Sequence, residues 1–143
     1  MKKFLTLLTT ICLFVTLSGV GYAEENKSTT ITYYVEPSYQ VTIPTNATLG
    51  NELVVSATNV VIEYGKKLNV KIDGNFKLSN NNHEVSFSIT NDNVPISSGD
   101  TVLTVDPAES NSGSSTLTLN LPSGGFKYAG DYSGTINFTI FVE

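Results

Sequence analysis

Residues 126–142, F-K-Y-A-G-D-Y-S-G-T-I-N-F-T-I-F-V, constrain this chain more than any other stretch. Their second half alternates. Tyr132, Gly134, Ile136, Phe138, Ile140 and Val142 share one face, and Ser133, Thr135, Asn137 and Thr139 the other. A period of two marks a strand with one buried face. β-branched and aromatic residues dominate it, as a pleated, half-buried surface prefers. A strand this apolar is expected to pair inside a sheet, with the fold completed by this final strand.

The rest of the chain repeats the pattern. Ile31, Tyr33 and Val35 alternate with Thr32 and Tyr34 until Pro37 interrupts, which suggests an edge or a switch between sheets. Tyr39, Val41 and Ile43 resume the alternation up to Pro44, and a loop follows over 45–50. Residues 53–62 are a longer apolar run with a bend expected at Ala57-Thr58-Asn59. Leu68, Val70 and Ile72 alternate cleanly, and Asp73-Gly74 is a hairpin-type signal, with Phe76 and Leu78 on a returning strand. Residues 79–83, S-N-N-N-H, read as a polar loop. Val85, Phe87 and Ile89 form the next strand, and turns follow at 91–93 and 97–100. Residues 101–105 read as a strand and 109–115 as a flexible Ser/Gly loop. Leu117, Leu119 and Leu121 make the penultimate strand, stopped by Pro122-Ser123-Gly124-Gly125.

About eight to ten short strands at this spacing predict an all-β, antiparallel, immunoglobulin-like β-sandwich, with a closed barrel as the minor alternative. No stretch after residue 23 has a helical period. The expected core is Ile31, Tyr33, Val41, Ile43, Val70, Ile72, Val85, Phe87, Ile89, Leu117, Leu119, Ile136, Phe138 and Ile140.

The N-terminus has the form of a signal peptide. Lys2 and Lys3 are its positive start, residues 4–20 its apolar run, and Gly21-Tyr22-Ala23 its small-residue cleavage site. Cleavage is expected between Ala23 and Glu24, which gives a signal peptide over 1–23 and one domain over 24–143. The alternative is an uncleaved anchor, but the run is short for a span of about 20 apolar residues. Cys12 lies inside the run after Ile11, where a lipid-modified cysteine would not sit. The remaining length of about 120 residues suffices for one real core. It holds no cysteine, so no disulfide supports it.

The chain carries 8 basic residues, all lysine, against 13 acids, and two of the lysines leave with the leader. Nucleic-acid binding needs clustered cations and is excluded on this balance. An acidic surface also disfavours electrostatic adhesion to anionic membranes or wall polymers.

Tyr128-Ala129-Gly130-Asp131-Tyr132 precedes the last strand. It resembles the tyrosine corner of immunoglobulin-like sandwiches, in which a phenol hydroxyl bonds back to nearby backbone. Gly130 and Tyr132 are the candidate corner residues. The chain has no Trp and no cysteine pair to complete an antibody-type domain. His83 is the only histidine and reads as an exposed loop residue, since a metal site or a hydrolase triad needs partners absent here. Asp92, Asp100, Asp106 and Glu109 fall near loops but form no D-x-D-x-D-G calcium loop, and read as a solvated acidic face. No catalytic residue, cofactor or metal is expected.

The closing block Y-A-G-D-Y-S-G-T-I-N-F-T-I, read with the signal peptide, resembles small secreted β-sandwich proteins of Gram-positive bacteria. It is similar in style to the endings of WxL-type surface domains and of coat- or fimbria-related sandwiches. The strand before Pro44 and the block Tyr64-Gly65-Lys66-Lys67-Leu68 fit the same group, while the Trp-x-Leu signature is absent. The resemblance implies a surface-associated structural or adhesive protein. The expectation is therefore a secreted, non-catalytic module at the bacterial surface that binds a surface protein or a cell-wall glycan, with no membrane contact after cleavage. Two alternatives stand beside it. One is a self-assembling subunit of a surface layer or filament, a homo-oligomer joined by strand addition, with 26–36 as the candidate edge. The other is a small extracellular hydrolase.

Overall fold

The computed structural model describes residues 27–81 and 83–143. The expected cleavage site at Ala23 and Glu24 lies outside the described residues. The chain divides into two units, Met1–Tyr33 and Tyr34–Glu143, and every strand of the described residues lies in the second.

Ten strands follow in order: β1 (Ser38–Thr42), β2 (Glu52–Val61), β3 (Leu68–Asp73), β4 (Lys77–Asn80), β5 (His83–Ser86), β6 (Ser88–Asn91), β7 (Val94–Ile96), β8 (Thr101–Val105), β9 (Gly113–Asn120) and β10 (Asn137–Val142). They form a five-stranded sheet, β1-β2-β9-β6-β7, and a three-stranded sheet, β10-β3-β8. The hairpin β4-β5 makes a separate two-stranded piece. Every pairing is antiparallel. The inward side chains of the two larger sheets share one core, the mark of a β-sandwich. Leu53, Val55, Ala57, Ile89, Leu117 and Leu119 come from the first sheet, and Leu68, Val70, Ile72, Val102, Leu103 and Val105 from the second.

Local sequence explains the elements. On β2, burial alternates through Leu53, Val55 and Ala57 and then slips, so that Val60 also faces inward. Asn59 has φ of +54° and makes the slip. Asn reaches this left-handed region at little cost. The expected bend is thus a kink inside one long strand. The 91–93 turn forms as the sequence indicates. Asn91 pairs with Val94, and Asp92 and Asn93 both have positive φ, which is a two-residue type I′ hairpin.

Several expectations change. The 30–35 segment alternates but belongs to no strand, and Ile31 and Tyr33, expected in the core, are each 90% exposed. Alternation sets the faces of a strand but does not supply a neighbour to pair with. Asp73-Gly74 does not close a β3–β4 hairpin, because β3 pairs with β8 and β10 while β4 pairs with β5. The S-N-N-N-H loop is shorter than expected, since Ser79 and Asn80 pair with Glu84 and His83. Likewise β9 starts at Gly113, inside the expected flexible loop. A Cβ there would sit 3.0 Å from Val105 Cγ2, so glycine lets β9 run close against β8.

The closing strand differs most. β10 starts only at Asn137 and is the outer strand of the smaller sheet. Its inward residues Phe138, Ile140 and Val142 stand opposite Ile72, Val70 and Leu68. The three on the central strand β3 are buried, whereas Ile140 and Val142 are 38% and 40% exposed. The face is the expected one, but a strand with a neighbour on one side only cannot bury it.

Candidate functional site

An open groove of about 790 Å³ lies at the end of the sandwich where β10 begins. Its floor is core: Leu53, Leu119, Phe87, Ile136 and Phe138. One wall is the 44–49 loop, the other the 126–136 segment.

Backbone bonds fix both walls. The amide of Gly50 donates to the carbonyl of Leu119 at 2.6 Å, and that of Asn51 to Thr48 at 3.1 Å. Thr45, Asn46 and Thr48 are left exposed along this wall. The opposite wall leaves β9 through a turn in which the amide of Gly125 donates to the carbonyl of Pro122 at 3.0 Å and Gly125 has φ of +65°. It is then held to β4 by the mutual amide–carbonyl bonds of Ser79 and Ser133 at 2.8 and 3.0 Å. Two glycines permit this contact. A Cβ on Gly134 would run into the backbone carbonyl of Lys77, and a Cβ on Gly130 into Asn80 Nδ2. Gly130 also has φ of +135°, a region that only glycine enters readily.

Aromatic rings crown this wall. Phe126 and Tyr132 lie 4.7 Å apart between centroids, tilted by 52°. Tyr128 meets His83 edge-on at 4.3 Å. Lys127 Nζ stands 5.4 Å from the centre of the Tyr128 ring, within cation–π range. The Tyr132 hydroxyl donates to the carbonyl of Tyr128 at 3.1 Å and so pins the lip four residues upstream. Phe126 and Tyr128 both remain exposed.

The structure thus brings Gly130 and Tyr132 together on one wall of the groove. His83 is not an exposed loop residue. It is the first residue of β5, half-buried with its ring against Tyr128. The loop acids are engaged separately. Asp100 accepts from the amide of Ser97 at 2.7 Å. Asp106 accepts from the amide of Ala108 at 3.0 Å and pairs with Lys67 at 3.2 Å. Those two partners, the Ala108 amide first, hold its carboxyl below the usual carboxylate range. No three metal-ligating side chains come together among the described residues. Asp131 is the only carboxylate among the described residues that line the groove. Such a lining offers ring faces, hydroxyls and amides. It can hold a flat or ring-shaped group by stacking and hydrogen bonding.

No sequence motif marks Phe126, Tyr128 or the 44–49 loop as walls of one groove. The available signal was the density of aromatics in F-K-Y-A-G-D-Y just after a Pro-Ser-Gly-Gly turn. Rings beside a loop have no strand face to fill, and exposure is then their default. No protein-family model, curated protein or solved structure matches the chain.

Proposed function

We propose that this chain is a secreted, non-catalytic β-sandwich that acts at the bacterial surface as an adhesion or binding module, taking a surface protein or cell-wall glycan into the groove. The observation that supports this most is the exposed aromatic lip of Phe126 and Tyr128 facing hydroxyl- and amide-bearing Thr45, Asn46 and Thr48 across an apolar floor. Aromatic anchors with a few convergent polar groups are what such recognition uses. The test is retention of the full chain on cell-wall material and on intact cells, compared with Phe126→Ala and Tyr128→Ala. Each variant is expected to lose about tenfold in affinity, or about 1.4 kcal/mol. Equal retention of both variants and the parent contradicts the reading.

A specific observation favours a second reading, a self-assembling subunit of a surface layer or filament. The uncharged 30–35 segment alternates as a strand does, yet holds Ile31 and Tyr33 in solvent. Exposed alternating segments are what strand addition uses.

A further inference from the structure

We propose that the 30–35 segment of one copy adds antiparallel to the outer edge of β10 in a second copy, completing the three-stranded sheet and linking subunits head to tail. This deepens the assembly reading and rests on it.

The direction of the backbone groups on β10 follows from its last bonded pair. Lys67 and Glu143 exchange both of their amide–carbonyl bonds, at 2.7 and 3.1 Å. In an antiparallel pair such bonded residues alternate with non-bonded ones. Phe141, Thr139 and Asn137 therefore bond to β3, and Val142, Ile140 and Phe138 turn their N–H and C=O groups away from it. These three are also the residues whose side chains face the core. Among the described residues, the outer edge thus presents unpaired backbone ladder positions on the same residues that lack apolar cover.

The other edges are worse acceptors. β7 is three residues long and contains Pro95. β1 is bounded by Pro37 and Pro44, and its register breaks between Ser38 and Gln40. Prolines and irregularities blunt an edge. β8 carries a register break, with Val70 opposite Leu103 but Lys71 opposite Thr101, and its Val102, Leu103 and Val105 are already buried, so a strand beside it covers nothing apolar. Among the described strands of the two larger sheets, β10 alone combines an open ladder with uncovered inward residues.

The donor matches in length, face and charge. With Tyr33 opposite Ile140, Ile31 meets Val142 and Val35 meets Phe138. All three donor side chains then point inward, while Thr32 and Tyr34 point out beside Phe141 and Thr139. Copies of an acidic chain repel one another: once Lys2 and Lys3 leave with the leader, 6 lysines stand against 13 acids in each, a formal charge of −7. Neither 28–35 nor 136–142 carries a charge, so these two stretches meet without that penalty. The antiparallel sense keeps Glu36 away from Glu143 and directs the Lys27 end toward it. Covering the donor side chains and the matching strip of the acceptor buries on the order of 1,000 Å² in total, the lower bound for a specific interface. A contact of this size falls among weak, transient interfaces, so assembly is expected to depend on concentration. Because donor and acceptor are different surfaces, the contact does not close on itself and is expected to grow beyond a dimer.

Light scattering on the exported full chain over a wide concentration range tests this. The average mass is expected to rise more than about twofold with concentration, as an open head-to-tail contact requires. Tyr33→Pro removes the central donor amide, and Ile140→Pro removes the acceptor amide that faces outward without touching the β3 ladder. Each variant alone is expected to stay monomeric, and the two mixed to form a one-to-one pair, since each supplies what the other lacks. A synthetic peptide of residues 29–36 in excess is expected to return the parent chain to monomers, a readout independent of how either variant folds. A parent chain that stays monomeric at every concentration overturns the proposal. So does a mixture that stays monomeric, or a peptide without effect on the assemblies. Tyr33→Pro leaves the groove untouched, so its retention on cell-wall material separates failure here from failure of the binding reading.

Discussion

Gly134 and Gly124 differ by what a methyl group would meet. At Gly134 it runs into the Lys77 carbonyl, and at Gly124 nothing lies within 4 Å. Gly134→Ala is expected to cost about 1–3 kcal/mol through overpacking and partial release of the groove wall from β4. Gly124→Ala is expected to be close to neutral. Denaturant midpoints of the two variants check the contrast, and equal shifts would contradict the described contact. Asp106 sets a pH dependence of known sign. Its folded pKa is depressed, so the stabilisation is present above the ordinary carboxylate pKa and is lost as pH falls through the lower folded value. The group is wet, and the effect is small. Asp106→Asn is expected to flatten the acid limb of the stability profile and to leave the neutral region nearly unchanged, as read by thermal melts across acidic pH. At this scale the sequence was partly legible. The bend at Asn59 and the turn at Asp92-Asn93 were legible from residue type, since all three adopt positive φ. The contacts of Gly130 and Gly134 were not legible, because each depends on the distant residues Asn80 and Lys77.

At the scale of the strand, position in the sheet decides how much a residue contributes. Ile72 and Ile140 both face the core, but Ile72 is buried on the central strand and Ile140 is partly exposed on the outer one. Ile72→Ala is expected to cost about 3 kcal/mol and Ile140→Ala about 1 kcal/mol in a dilute solution of monomers, both read from denaturant midpoints. A similar cost for both would mean that β10 is covered by a further strand. The period of two identified β2, β3, β9 and β10 from their side chains, because each has one face in the core, whereas the single strand expected over Val85, Phe87 and Ile89 is divided between β5, which pairs with β4, and β6, which pairs with β9. It could not rank them by depth, since strand order is set by pairing across long separations. The 30–35 segment shows the limit most plainly. Its residues carry the signal of a strand, and the described fold offers it no partner within the sheets.

At the scale of the whole molecule, two sheets of five and three strands leave the smaller one with an outer strand whose apolar face is incompletely covered. That imbalance and the exposed N-terminal segment are complementary, and together they turn a small sandwich into a unit that can be extended. In the two proposals the aromatic groove and the β10 edge serve different ends, one for a surface ligand and one for the next copy. The all-β antiparallel class was legible in the sequence from turn spacing and alternation. The groove was not, because it is assembled from loops whose relation is fixed only by the folded sheets. Residue-resolved hydrogen exchange at increasing protein concentration tests the central claim most directly. The amides of Asn137, Thr139 and Phe141 are expected to be protected throughout by β3. Those of Phe138, Ile140 and Val142 are expected to exchange fast when dilute and to gain protection together with Ile31, Tyr33 and Val35 as concentration rises. Protection of Phe138, Ile140 and Val142 that is already complete at the lowest concentration would contradict an open edge.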